Sequence, residues 1–152
     1  MPSFNIVATH HTSFTVTNLD RSVAFFRDVL GFSLTHTERA DSDLISGLSG
    51  VPKAEGRLAF IAAPGHTIEL VEYSGPETRG KVKCRPCDAG SSHIAFIVDD
   101  LDNALAAVTK AGLALIGTPQ TVLSGDGAGA RSVYLRDADS IQFEFIQLPK
   151  QK

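Results

Sequence analysis

Cysteine is scarce: two residues in a chain of 152, too few for the disulfide framework that holds small secreted domains together. An excess of charge of one sign is missing too. Lys and Arg number 14 against 17 Asp and Glu, for a formal net charge of -3, and no basic block breaks the balance. That excludes the electrostatic footprint of a nucleic-acid-binding protein. The longest apolar runs are of strand length, far below the roughly 20 residues of a membrane-spanning helix. Met1-Pro2-Ser3-Phe4 shows neither the charged nor the apolar region of a signal peptide, so the expectation is a cytoplasmic protein. What the chain does have is 43% hydrophobic residues, enough for the core of a single domain over residues 1–152.

The two cysteines, Cys84 and Cys87, form a Cys-x-x-Cys pair. Such a pair is redox-active in some proteins and half of a zinc site in others. This one follows no strand, opens no evident helix and has no second pair to complete a zinc site. It reads as two reduced thiols in a loop.

The chain repeats itself. From His11 the sequence runs His-Thr-Ser-Phe-Thr-Val-Thr-Asn-Leu-Asp, and from His93 it runs His-Ile-Ala-Phe-Ile-Val-Asp-Asp-Leu-Asp. Val16 and Val98, Leu19 and Leu101, Asp20 and Asp102, and Ala24 and Ala106 occupy matching offsets from the two histidines. Each copy predicts a strand (residues 8–16 and 91–98), an N-cap at Asn18 or Asp100, and an amphipathic helix. The apolar stripe of the helix is Leu19, Val23, Phe26 and Leu30 in the first copy, and Leu101, Leu105 and Val108 in the second. Gly31 and Gly112 are the C-cap candidates. Three strand-like runs follow each helix: residues 32–36, 57–63 and 66–73, then 113–116, 131–136 and 141–147. Pro64-Gly65 and Asp137-Ala-Asp-Ser140 supply the last turns. The fold class is α+β, with two βαβββ modules at about 8–74 and 91–149 and a polar link over 75–90.

Strand alternation sorts the side chains. His11, Ser13 and Thr15 share one face of the first strand, away from the helix; His93 and Ala95 do so in the second copy. Glu69 and Glu144 each lie four residues past their turn, between apolar neighbours, Ile68 and Leu70 in one case and Phe143 and Phe145 in the other. A carboxylate there is costly unless it stays wet or finds a partner. A lone strand histidine or glutamate is ordinarily structural or solvated. Here both histidines and both glutamates fall in repeat-equivalent slots, which sheet packing does not require. Two imidazoles and two carboxylates suit nickel, cobalt, zinc, manganese or ferrous iron, and the ligand types do not choose among them.

His11 with Val16, Asn18-Leu-Asp-Arg-Ser22, Phe25-Phe26 and Leu30-Gly31-Phe32 resembles the opening motif of glyoxalase I-like proteins. Ile68-Glu-Leu70, Ser92-His-Ile-Ala95 and the ending from Asp137 to Phe145 resemble the later motifs of that vicinal oxygen chelate superfamily, over about residues 8–147. The resemblance implies paired βαβββ modules curled around one divalent metal ion, with His11, Glu69, His93 and Glu144 as ligands. It also implies a homodimer and a small-molecule substrate chelated through two neighbouring oxygens. The implied chemistry is Lewis-acid stabilisation of an enediolate or enolate, with a glutamate moving a proton between adjacent carbons. Glu144 is the expected principal base, with Glu69 as ligand and second base.

The leading expectation is a glyoxalase I-like lyase or isomerase. An epimerase of methylmalonyl-CoA or cyclitol type is the alternative. A ring-cleaving dioxygenase or a fosfomycin-type thiol transferase needs three protein ligands, and a non-catalytic resistance protein needs none. Bacterial glyoxalase I has an Arg where this chain has Thr15 and an Asn where it has Tyr73, both serving glutathione, which counts against that thiol. Asp137-Ala-Asp-Ser140 replaces the Asp-Pro-Asp-Gly of many relatives. The Gly-rich run 123–130 lacks the strand-to-helix setting of a phosphate cradle and reads as a loop. Residues 40–50 read as a loop lining the substrate entrance. His10 is expected on the opposite strand face from His11, and His36 and His66 as surface or structural residues.

Overall fold

The computed structural model describes residues 3–150. Two units divide the chain, residues 1–79 and 80–152. The first contains β1 (Thr12–Thr15), α1 (Leu19–Ala24) continued by a π-helical turn (Phe25–Val29), β2 (Ser33–Arg39), α2 (Ser42–Ser49), β3 (Glu55–Ala63) and β4 (His66–Gly75). The second contains β5 (His93–Ile97), α3 (Leu101–Lys110), β6 (Ala114–Leu115), β7 (Gln120–Thr121), β8 (Arg131–Arg136) and β9 (Gln142–Gln147). Each unit has one mixed sheet. The order is β1-β4-β3-β2 in the first and β5-β9-β8-β6 in the second, with β7 also paired to β8. In each, the first strand runs parallel to the last and the others are antiparallel. This is the expected α+β class, with two βαβββ units.

The helices form where their caps and stripes require. The Asn18 side chain accepts from the Arg21 amide at 2.8 Å, and Asp100 accepts from the Asn103 amide at 3.0 Å, each satisfying a donor that the first turn leaves unpaired. Leu19, Val23 and Phe26 are buried in the first unit, and Leu101, Leu105 and Val108 in the second. They meet the helix-side residues of the sheets: Ala59, Ile61, Ile68 and Leu70 in one, Val133, Leu135, Phe143 and Phe145 in the other, all buried. Burying a side chain of this size contributes about 1.5–3 kcal/mol.

A duplicated staple ties helix to sheet at the outer rim. The Glu72 carboxylate accepts from the Leu19 amide at 3.1 Å, and the Gln147 side-chain Oε1 accepts from the Leu101 amide at 3.0 Å. Arg57 donates to Asp20 and Glu72, while Arg131 donates to Asp102 through two bonds of 2.8 Å. The Arg131 guanidinium holds the Asp102 carboxyl below the usual carboxylate range.

Three elements differ from expectation. β1 begins at Thr12, well short of the run 8–16. Residues 40–50 are not a bare loop, because Asp41 caps α2 through the Leu44 amide at 2.8 Å and Gly50 closes it at φ 68°. A cap, apolar residues at 44, 45 and 48, and a terminal glycine were all present in the sequence, but the helix is short and buries no residue, so its apolar pattern is weak. β7 is two residues long and carries no periodic signal.

The β8–β9 turn bends around Asp137, whose Oδ1 accepts from the amides of Asp139 (2.8 Å) and Ile141 (2.9 Å). Ser140 there sits at φ 69°, a region that disfavours a residue with a Cβ. Ser140→Gly is expected to raise unfolding free energy by about 0.5–1 kcal/mol, the left-handed strain relieved less the extra entropy of glycine in the unfolded chain. Phe143→Ala is expected to lower it by about 3–5 kcal/mol. Urea denaturation with an unchanged m-value checks both.

Candidate metal centre

In the first unit the parallel pairing of β1 with β4 sets Ser13 opposite Glu69. Ile68 and Leu70 turn into the core, so the pleat sends the Glu69 side chain to the other face, where it is 15% exposed. His11, two residues before Ser13, reaches the same face, and its Nε2 lies 3.4 Å from Glu69 Oε2. Phe60 of β3 stands opposite Glu69 and presents its ring edge-on to His11, with centroids 6.2 Å apart.

The second unit repeats the arrangement. Ala95 pairs with Glu144, Phe143 and Phe145 are buried, and His93 Nε2 lies 3.3 Å from Glu144 Oε2. Tyr134 of β8 stands opposite Glu144, in the slot Phe60 holds in the first unit, and meets the His93 ring edge-on at 4.9 Å. The side chains of Glu144 and His93 are 19% and 41% exposed. Ser132, two residues before Tyr134, donates its hydroxyl to Glu144 Oε1 at 2.5 Å.

The structure therefore brings together His11 with Glu69, and His93 with Glu144. Among the described residues no group of three or more His, Cys, Asp or Glu side chains is gathered in a metal-binding cluster. Each pair fits half of a divalent-metal site on its own geometry. Two N or O donors bound about 2.1 Å from one ion lie about 3.0–3.4 Å apart, the separation of both pairs. Imidazole with carboxylate is also the donor chemistry of such ions.

Two histidines take places the sequence did not disclose. His10 was expected on the face opposite His11, yet its Nδ1 lies 2.7 Å from His11 Nδ1. Both residues precede β1, so strict alternation does not govern them. With His11 Nε2 turned to Glu69, the Nδ1–Nδ1 contact orients the ring, the role a second hydrogen bond gives most metal-binding histidines. His36 is exposed, as expected of a surface residue, but register places it opposite Phe60 and its ring stacks there at 4.7 Å. That puts it on the face of Glu69. The bulge between Leu34 and His36 hides this from any alternation count. His66 is structural, its Nε2 2.8 Å from Thr12 Oγ1.

The loop around Cys84 is pinned to the second sheet. Arg136 donates to the Cys84 carbonyl at 2.5 Å, and buried Gln142 donates to Ser91 Oγ at 2.7 Å and to Cys84 Sγ at 3.5 Å. The Gly-rich run is a loop whose amides serve itself: Ala128, Gly129 and Ala130 donate to the carbonyls of Gly125, Val122 and Gly127. Those donors are spent, which removes them from any phosphate cradle.

Two βαβββ units, each with a His–Glu pair on the sheet face away from its helix, define a protein of the vicinal oxygen chelate type. The chain belongs to the glyoxalase/bleomycin resistance protein/dioxygenase superfamily, whose family model matches residues 8–145. It is 34% identical to a 2-epi-5-epi-valiolone epimerase of an Actinomyces species over 148 residues, covering 94% of this chain and 80% of that protein. The uncharacterized protein YaeR of Escherichia coli K12 is 34% identical over 100 residues, covering 64% of this chain and 65% of that one. In fold the chain is similar to a glyoxalase family protein from Bacillus cereus, with TM-score 0.84, 21% identity and 99% of each chain covered. It is also similar to the fosfomycin resistance protein FosX of Listeria monocytogenes, with TM-score 0.62, 19% identity and 94% of each chain covered. No helix among the described residues is long and apolar enough to cross a membrane.

Cys87 is exposed, whereas Cys84 is half-buried against Gln142. Titration with a chromogenic disulfide is expected to show two phases, the fast one lost in Cys87→Ser and the slow one in Cys84→Ser. Two equal rates would contradict the packing described.

Proposed function

We propose that this protein is a metal-dependent epimerase that inverts a carbon beside a ketone carbonyl in a small polyhydroxylated substrate of the cyclitol type. The observation that carries the reading is the pair of carboxylates, Glu69 and Glu144, held in equivalent register slots and each beside a histidine. Inversion needs one group to remove the α-proton and another to return a proton to the opposite face. One proton leaves and one arrives, so no oxidant or second substrate enters. Two carboxylates on two sheets supply both groups. The valiolone epimerase relative supports this over the glyoxalase I-like lyase first expected, as does Thr15 where a glutathione-binding Arg is the pattern.

His11, Glu69, His93 and Glu144 would hold one divalent ion. When bound, it supplies Lewis acidity toward the substrate carbonyl and a neighbouring hydroxyl. Phe60 and Tyr134 brace the two histidines edge-on. Ser132 and Tyr134 give the second unit a hydroxyl-bearing surface beside Glu144, suited to a polyol.

In deuterium oxide, the manganese-loaded protein with 2-epi-5-epi-valiolone is expected to yield the epimer carrying one solvent deuteron at the inverted carbon, read by proton NMR. His93→Ala is expected to lose the metal, about one ion per chain in wild type, and to slow exchange by at least about 100-fold. Turnover of a hemithioacetal with no exchange into cyclitol ketones would return the protein to the glyoxalase class.

A further inference from the structure

The two His–Glu pairs match in register and distance but not in what stands behind the carboxylate. Behind Glu144 is Ser132, opposite Ile146 on β8 and donating to Oε1 at 2.5 Å. The equivalent position behind Glu69 is Leu58, opposite Val71 on β3, whose side chain has no donor. Tyr134 and Phe60 repeat the contrast one pleat further on, a phenol against a hydrocarbon ring.

We infer that Ser132 is a positioning residue that holds Glu144 in one orientation, from which it returns a proton to the substrate without leaving the metal, and that Glu69, lacking such a tether, is the carboxylate that swings away to remove the α-proton. The inference rests on the metal-dependent reading above and assigns unequal roles within it. Its order of roles is the reverse of the one the family resemblance implied, in which Glu144 is the principal base.

The physical case is one of geometry. With Oε1 held by the Ser132 hydroxyl, rotation of the Glu144 carboxylate would break that bond, and only Oε2 is presented toward His93. A ligand oriented in this way loses little freedom on binding an ion, which favours retention. Glu69 is faced by Leu58 and Phe60, so turning its carboxylate breaks no hydrogen bond to β3. A base that must leave the ion for the substrate and return needs that latitude. The rims of the two sheets keep the same staple even where Glu72 gives way to Gln147, whereas on the site face the hydroxyl behind one carboxylate has no counterpart behind the other.

The test begins with manganese(II) alone, titrated into the apo full-length protein and followed by the electron paramagnetic resonance of the free ion. Ser132→Ala is expected to weaken binding by about 10- to 100-fold, and Ser132→Thr, which restores the hydroxyl, to stay within a few-fold of wild type. In a Glu144→Ala background, Ser132→Ala is expected to add no further loss, because its effect passes through Glu144. At saturating manganese, Glu69→Gln is expected to abolish deuterium exchange into the ketone, while Glu144→Gln retains part of it. Unchanged manganese binding in Ser132→Ala, an equal loss in the Glu144→Ala background, or exchange surviving in Glu69→Gln but not in Glu144→Gln would each overturn the assignment while leaving the epimerase reading intact. Wild type that takes up no manganese would overturn both.

Discussion

The whole site depends on one constraint, the pleat of the last strand in each unit. A strand whose alternate residues fill a core must send the residues between them to the opposite face. Ile68 and Leu70 are fully buried, as are Phe143 and Phe145 within 1%, so Glu69 and Glu144 have no alternative direction. A slip of one residue would bury a carboxylate under a helix and expose an aromatic ring, a penalty large enough to hold the register. The parallel neighbour then completes the pair, because the residue two places after each histidine is locked opposite each glutamate. The hydrophobic core fixes the reactive groups without touching them.

The duplication separates scaffold from chemistry. On the helix side the copies agree in detail: an Asx cap, a side-chain oxygen receiving the first helical amide, and an Arg on the third strand reaching an Asp in the helix. On the other face they diverge. Leu58 becomes Ser132 and Phe60 becomes Tyr134, while His36 stacks over the first unit's ring. Stability draws on features present twice, whereas selectivity has room to act through those present once.

Much of this was legible in the sequence, and the reason is periodicity. The fold class, the caps at Asn18 and Asp100, the helical stripes apart from Leu30, and the placing of both histidines on the sheet face away from the helix all follow from repeats of 2, of 3.6 and of about 82 residues. What escaped is aperiodic. The bulge between Leu34 and His36 shifts the register, so no count of alternating residues places His36 on the face of Glu69. His10 lies before its strand begins, where alternation says nothing about direction. Helix α2 is too short and too exposed for its apolar residues to mark a face. The Ser132 hydrogen bond joins residues 12 apart across a hairpin, and a serine at an intermediate position of a strand carries no mark of what it will meet.

The asymmetry behind the two carboxylates bears on why one scaffold serves so many reactions. Its fixed part is a way of aiming an imidazole and a carboxylate at a common point, and that arrangement by itself specifies no substrate. Chemistry that leaves its metal-bound carboxylate in place, such as opening a strained ring or adding oxygen, would gain from tethering it. Chemistry that moves a proton within one molecule needs at least one carboxylate that can part from the ion and return. Under the proposed epimerase reading, tethering Glu144 through Ser132 while backing Glu69 with Leu58 would suit the second kind of task. Inversion of a carbon beside a carbonyl is the simplest reaction of that kind, since the proton budget closes within the substrate and two carboxylates.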